Sequence, residues 1–455
     1  MTLTTDILIV GGGSAGFGAA YRAIRDGRFH VTLVEKNPGL GGTSTYGGVN
    51  CWEPGVGGKG VHYQLAARLQ AEDNGFVGVN VEEVTDQTPW GWSVRCQDPY
   101  EESLERSFRG RMEQRRFHFE PEAMSRAMLD LLQPAHNARL LFRSTVTEVE
   151  TDGRTITAVT AQTPEGPCRI VPRLVLDCSG DIVIARAAGC AYSQGEDAHS
   201  LFDEPNAPDD PQRLINGMSL VFRVTPCDPE WVDTMPEEFT DVDLTQWYET
   251  LERTNRPLSC FNRYPNGDIN INMLPTMPGE LWLDLPEAEA MHIAAARVYA
   301  YWNWVQTKKN FRGYRIKEIF PMAGIRESYR LVGRYVLKEQ DLSNGYPAEL
   351  GPEHTVAWSD HTADIHGRTN KTGGMTMFHP YGIPYECMLP REMDNLLVAC
   401  RGASFSHIAS SSIRLSRTMM ALGEAAGEAA VQILATGCPT DGVDLKSLRE
   451  KLEIV

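Results

Sequence analysis

Ile7-Leu8-Ile9-Val10-Gly11-Gly12-Gly13-Ser14-Ala15-Gly16-Phe17-Gly18-Ala19-Ala20 is the stretch from which the fold of this chain is read. Its opening apolar run suits a strand of a parallel sheet covered on both faces. The spacing Gly11-x-Gly13-x-x-Gly16 then marks a tight turn into a helix. The first glycine makes the turn, the second admits a pyrophosphate close to the backbone, and the third lets the helix pack on the strand. The amides at the start of that helix point at the phosphates. Ala19, Ala20, Ala23 and Ile24 give the helix a small apolar face. A second apolar run, Val31-Thr32-Leu33-Val34, ends in Glu35. That places a carboxylate about twenty residues past the glycines, where it holds a ribose 2′-hydroxyl and disfavours a 2′-phosphate.

The rest of the composition narrows the class. At 455 residues the chain has room for two or three domains and a sizeable core. With 42% hydrophobic and 23% charged residues it is neither disordered, collagenous nor a disulfide scaffold. Asp and Glu number 60 against 43 Lys and Arg, a net charge of −17. That charge repels nucleic acid and anionic lipid and leaves a small molecule as the expected partner. No stretch approaches the ~18 apolar residues of a membrane span. The N-terminus runs into the first strand without a basic and then apolar leader, so no membrane association and a cytoplasmic location are expected. The ten cysteines include no CxxC pair, which argues for reduced thiols and against zinc, iron–sulfur or dithiol chemistry. No metal is expected; His292, His354, His361 and His366 have no metal-ligand spacing.

Three further stretches carry a resemblance. Glu35-Lys36-Asn37-Pro38-Gly39-Leu40-Gly41-Gly42-Thr43-Ser44 is similar to the FAD-type continuation of glutathione-reductase-like flavoproteins. Leu174-Val175-Leu176-Asp177-Cys178-Ser179-Gly180-Asp181 resembles their strand and small-residue turn before a helix. Asp394 to Gly402, followed by the small-residue helix Thr418 to Ala430, resembles their C-terminal strand and helix. With Gly47 to Gly55, Phe119-Glu120-Pro121-Glu122, Gly324-Ile325-Arg326-Glu327-Ser328 and Ile383-Pro384-Tyr385, the whole chain resembles the FAD dependent oxidoreductase family. That family is related to fumarate-reductase-like and heterodisulfide-reductase-A-like flavoproteins.

The resemblance implies an α/β fold: a three-layer Rossmann-like FAD/NAD(P)-binding domain on a parallel sheet, with an inserted α+β substrate domain. It implies FAD, expected to be non-covalent. The contacts are expected from Gly11, Gly13, Ser14, Ala15 and Gly16, from Glu35 and Lys36, and from Gly41, Gly42, Thr43 and Gly48. Further contacts are expected from Val146, from Ser179, Gly180 and Asp181, and from Arg401, Ser412 and Ile413. The chain departs from the family pattern at Cys178-Ser179 for Ala-Thr, at Ile182 for the usual glycine, and at Cys400 before Arg401, where relatives often have glycine. It also lacks the cysteine clusters of the iron–sulfur relatives.

The expected FAD domain is discontinuous: residues 1–50, 115–200 and 375–455. Residues 51–114 form an insertion near the site, and 203–370 a substrate-side domain. Pro121 to Leu132 reads as a helix, Leu140 to Val171 as hairpin strands with a turn at Asp152-Gly153, and Ala288 to Val305 as a long helix. Gly55-x-Gly57-Gly58-x-Gly60 has no strand before it, so a second dinucleotide unit is not expected.

For chemistry, Arg326 is a candidate to stabilise negative charge beside the flavin, against an ion pair with Glu327. His379 and Tyr381 are candidate acid–base groups, and His407 a candidate site residue. Arg414 matches the family's "SIR" arginine, and Arg417 reads as structural. Cys51 reads as an inert thiol, and as the attachment point if the flavin is covalent. The aromatic run Trp282, Tyr299, Tyr301, Trp302, Trp304, Phe311 and Tyr314 reads as core.

The expected activity is hydride transfer between flavin and a small polar organic substrate, in the dehydrogenation direction. Fumarate-reductase-like alkene reduction and an electron-carrying subunit of a complex are the alternatives. The external electron acceptor or donor is not specified, and a homo-oligomer is compatible with the sequence.

Overall fold

The computed structural model describes residues 1–53, 55–56, 60–71, 76–81, 91–96, 116–133, 135–264, 266–366, 375–376 and 379–454, with backbone alone for 76–81, 91–96, 116 and 375–376. Pro54, Gly57, Gly58 and Phe378, which the sequence analysis singled out, lie outside the described residues.

The apolar run that opens the chain forms the C-terminal half of a strand, Thr2–Val10, at the middle of a seven-stranded sheet. Val31–Val34 pairs parallel on one side of it and Ala138–Leu141 lies beyond. Gly166–Asp177 pairs parallel on the other side. This last strand has two partners. Its first half pairs antiparallel with Thr155–Thr163, which continues to Thr145–Asp152 around the Asp152-Gly153 turn. Its second half pairs parallel with Leu396–Val398. Val10 therefore lies opposite Val34 and Asp177, and Asp177 opposite Val398. Four strand ends converge on one edge, where the ligand crevice of an open parallel sheet lies.

Two helices fix that edge. Ser14–Arg25 leaves the glycine turn and buries Ala15, Phe17, Ala19, Ala20, Ala23 and Ile24. Ser416–Thr436 packs on it almost backbone to backbone. A Cβ on Gly423 would meet the Ala15 carbonyl oxygen at 1.9 Å, and one on Gly427 the Ala19 carbonyl oxygen at 2.3 Å. The small residues of both helices are thus a matched pair of surfaces.

The second layer is an eight-stranded sheet with its own core. Helix Glu287–Lys308 covers it with Ala290, Ala294, Val298, Tyr301, Trp302 and Val305. The Trp302 ring lies 5.9 Å from that of Phe222 and 6.2 Å from that of Phe261, so the aromatic run is core as read. Cys260–Arg263 pairs parallel with Gly91–Cys96, and Arg116–Phe119 pairs with Cys51–Trp52 and Phe76–Val81. Strands from 51–119 and from 222–319 therefore share one sheet. Past residue 330 the chain returns to the first core: Leu331, Leu337, Val356, Ala363 and Ile365 are buried there. In this part Thr355–Ser359 pairs antiparallel with Tyr381–Pro384. Among the described residues no helix is long and apolar enough to cross a membrane.

Ile182 caps the helix Val183–Ala187 in the left-handed region, at φ +45°, and is fully buried. The glycine of the family pattern would relieve roughly 1–2 kcal/mol of backbone strain. It would also delete a buried side chain, which costs about 2–5 kcal/mol. Ile182→Gly is therefore expected to lower the thermal midpoint; a rise would show that strain dominates.

Candidate active site

The strand ends open onto a cavity of about 730 Å³, within the roughly 300–1,000 Å³ range of small-molecule sites. One end is built from the glycine turns. Gly11 adopts φ +99°, and a Cβ on it would sit 2.5 Å from the Cys178 carbonyl oxygen, so the turn closes only with glycine. Gly13 caps the helix without a side-chain hydrogen bond, and a Cβ there would meet nothing within 4 Å. The first amides of the helix are thus left facing open space, together with Ser14 and Ala15 in the cavity wall. The Glu35 carboxylate is clamped at its strand end by the Gly12 N–H (2.5 Å) and by the Asn37 N–H (2.7 Å) and side-chain amide (2.6 Å). Gly41 N–H donates to the Gly12 carbonyl at 2.9 Å, tying the second glycine turn to the first.

Asp177 explains the small-residue turn at the third strand end. Its carboxylate accepts from Ser179 and from the Ile184 and Ala185 amides at 2.9 and 3.0 Å, capping the short helix beyond. Asp181 accepts from Arg401 (2.5 Å) and Ser328 (2.6 Å). The Nε of Arg401 is buried without a partner among the described residues, a donor available to a ligand oxygen.

Of the expected cofactor contacts, Gly11, Gly13, Ser14, Ala15, Glu35, Lys36, Gly42, Thr43, Val146, Ser179, Gly180, Asp181 and Arg401 line the cavity. Gly16, Gly41, Gly48, Ser412 and Ile413 do not. Gly16 lies beneath the turn against Gly11, and Gly48 against the Phe320 ring. Ile413 is fully buried, and Ser412 donates to the His361 carbonyl at 2.5 Å. The open helix start, the clamped carboxylate and the unpartnered Arg401 donor fit the pyrophosphate and ribose of a dinucleotide.

The other end is lined by charged and titratable side chains: Glu53, Arg326, Asp360, His361, Asp364, His366, Arg414 and Arg417. Arg326 does not pair with Glu327. Its Nη1 donates to the Gly217 carbonyl (2.6 Å) and Ser219 Oγ (2.9 Å). Burial and the neighbouring Arg414 pull its pKa down to about 9, against the opposing charge of Asp364. His366 Nε2 bonds Asp364 Oδ2 at 2.7 Å. Burial, with the positive charges of Arg326 and Arg414, pushes His366 down to about 4 although Asp364 opposes the shift. Burial works to raise Asp364, but His366 and Arg414 hold it well below the usual carboxylate range. Burial also lowers His361, whose Nε2 lies 3.6 Å from Glu53.

Sequence reasoning missed His366, Asp364 and His361 as chemistry, having tested the histidines only for metal spacing. The signal was present. In Asp360-His361-Thr362-Ala363-Asp364-Ile365-His366 the stretch from Thr362 alternates, with Thr362, Asp364 and His366 lining the cavity and Ala363 and Ile365 buried in the core; Asp360 and His361 line it as well.

Three expected catalytic groups lie elsewhere. His379 is exposed and outside the cavity wall. Tyr381 is fully buried behind the wall, bonded to Ser412 Oγ at 2.6 Å; through Ser412 it supports the His361 backbone. His407 is buried in an ion network, its Nδ1 2.9 Å from Glu327 Oε1. Its neighbour there, Arg330, is fully buried and pairs with Glu327 and with Asp197 at 3.0 Å.

This network reaches the site through Asn216. The Asn216 N–H and side-chain amide donate to Glu327 Oε2 at 3.0 and 2.8 Å, and its Oδ1 accepts the His366 N–H at 2.8 Å. Cys51 lines the cavity with its Sγ 3.6 Å from His118 Nε2.

Fold and cavity together define a dinucleotide-dependent enzyme whose cavity has one charged end. The chain belongs to the FAD dependent oxidoreductase family, whose model matches residues 6–452, and FAD is its cofactor. No curated protein sequence matches it. Among solved structures it is similar to a geranylgeranyl bacteriochlorophyll reductase-like protein from Thermoplasma acidophilum (12% identity, TM-score 0.46, covering 100% of this chain and 83% of that one). It is also similar to p-nitrophenol 4-monooxygenase from Pseudomonas putida DLL-E4 (10% identity, TM-score 0.46, 97% and 82%). A third is a flavoprotein/dehydrogenase from Cytophaga hutchinsonii (13% identity, TM-score 0.41, 99% and 84%). These likenesses carry no argument about substrate.

Proposed function

We propose that this FAD-dependent oxidoreductase dehydrogenates a small polar organic substrate, an alcohol or amine, using His366 as the proton acceptor. Bound FAD supplies the two-electron acceptor. The observation that carries the reading is the Asp364–His366 pair in the wall of the cofactor cavity. With the Nε2–H donating to the Asp364 carboxylate, the imidazole lone pair is left on Nδ1. At neutral pH His366 is unprotonated and available to take the hydroxyl or ammonium proton as the adjacent carbon loses hydride. Gly11 to Ala15, Glu35 and Arg401 would hold the dinucleotide, and Arg326 would orient the substrate.

The purified protein is expected to show a flavin absorption spectrum that moves to the supernatant on acid precipitation. Colour kept in the pellet would instead mean covalent attachment and direct attention to Cys51. Anaerobic addition of alcohols and amines should then bleach the oxidised flavin. If none bleaches it while an activated alkene reoxidises the chemically reduced enzyme, the dehydrogenase reading is wrong and alkene reduction takes its place.

A further inference from the structure

We propose that Arg326, backed by Arg414, forms an anion subsite for a carboxylate of the substrate, so that the enzyme acts on small carboxylic acids bearing the oxidisable carbon. This rests on the reading of the charged cavity end as the substrate end.

The argument starts from how the cations of that wall are used. Arg417 pairs with Asp360, and Arg414 Nη2 lies 3.3 Å from Asp364 Oδ2. Arg326 has no such partner: its hydrogen bonds go to a carbonyl and a hydroxyl, and no carboxylate of the described residues pairs with it. Asp364, the acid whose charge it feels, is committed to His366 and Arg414. A guanidinium lining a cavity without a counter-charge is stabilised by a ligand that brings one. Burial first, and the like charge of Arg414 second, lower its pKa, and both are costs that an anionic ligand would offset.

The geometry suits a carboxylate. Two acceptors, the Gly217 carbonyl and the Ser219 hydroxyl, fix Nη1, which orients the planar fork and leaves its other N–H groups for bidentate contact. Nearby, the Nε of Arg414 is buried without a partner and adds a second donor. A structural role alone, tying Gly217 to Ser219, would need neither the open cavity nor the missing counter-ion.

The test is calorimetric titration of the flavin-loaded protein with acetate, propionate, lactate and benzoate, each against its neutral carboxamide. At least one carboxylate should bind, with its carboxamide weaker by roughly ten- to hundredfold, the worth of a charge-assisted hydrogen bond. Arg326→Gln should weaken that carboxylate by a similar factor and leave the carboxamide unchanged, and Arg326→Lys should restore part of the loss. Equal binding of acid and amide to the wild-type protein, no binding of any acid, or full binding by Arg326→Gln overturns the subsite. The acid–amide comparison needs no variant, so it stands if a variant fails to fold. It also separates the two readings. Carboxylates that bind but never bleach the flavin would refute the dehydrogenation and keep the subsite. Neutral alcohols that bleach it while no acid binds would do the reverse.

Discussion

His366→Asn is expected to lower kcat by on the order of 10²–10⁴-fold while the flavin stays bound. The side chain lines the charged end of the cavity and makes none of the glycine-turn contacts, so loss of turnover without loss of colour is the diagnostic pattern. The pH dependence gives an independent check. His366 is held at about 4 and must be unprotonated to accept a proton, so wild-type kcat/KM should be level near neutrality. It should fall as pH drops toward that value, and the variant should lose this acid limb. Asp364→Asn tests the tautomer. An amide in place of the carboxylate no longer fixes the proton on Nε2, and kcat should drop although His366 remains. A His366→Asn enzyme within about threefold of wild type would remove His366 from the mechanism.

Glu327→Gln should cost about 3 kcal/mol of stability, read by urea denaturation at pH 7. Removing one partner of a buried ion pair costs about 3–5 kcal/mol, and the lower end applies because Asp197 still faces Arg330. The ionisation of Glu327 points to the same size. Burial opposes its charge, but His407 and Arg330 hold the carboxyl at about 2 against an ordinary 4.5, which corresponds to roughly 3 kcal/mol. The sign follows from a depressed folded-state value. The contribution is present in full above about 4.5 and is lost as pH falls from there through about 2. The wild-type protein should therefore lose stability over that window, and the variant should lose less. Because Asn216 links Glu327 to the His366 backbone, the variant should also lower kcat more than it changes KM. A variant as stable as wild type at pH 7 would show that the network contributes specificity rather than stability.

The parts of the molecule that repeat a local rule were legible in the sequence. The glycine turn, the strand ending in Glu35, the helix Pro121–Leu132 and the Asp152-Gly153 turn each rest on neighbours in the chain. The charged end of the cavity was legible only at Arg326 and Arg414, because Glu53, Asp364 and His366 join them only through the fold. Tyr381 was read as chemistry because its hydroxyl can relay a proton, and His407 because its stretch resembles the family's, but both are buried outside the cavity wall in hydrogen-bond networks. Conversely, Asp364 and His366 look ordinary until Ala363 and Ile365 are seen to turn inward and aim them at the cavity.

The sharing of one strand between Thr155–Thr163 and Leu396–Val398 has a consequence for biosynthesis. Leu396–Val398 and the helix that covers Ser14–Arg25 are made long after Thr2–Val10, yet they complete the same sheet and cover the helix that follows that strand. Closing so long a span of chain is slow, and until then an apolar strand edge stays unpaired. A chain that stops short of the Leu396–Val398 strand is thus expected to be a substrate for chaperones and proteases rather than a smaller folded protein.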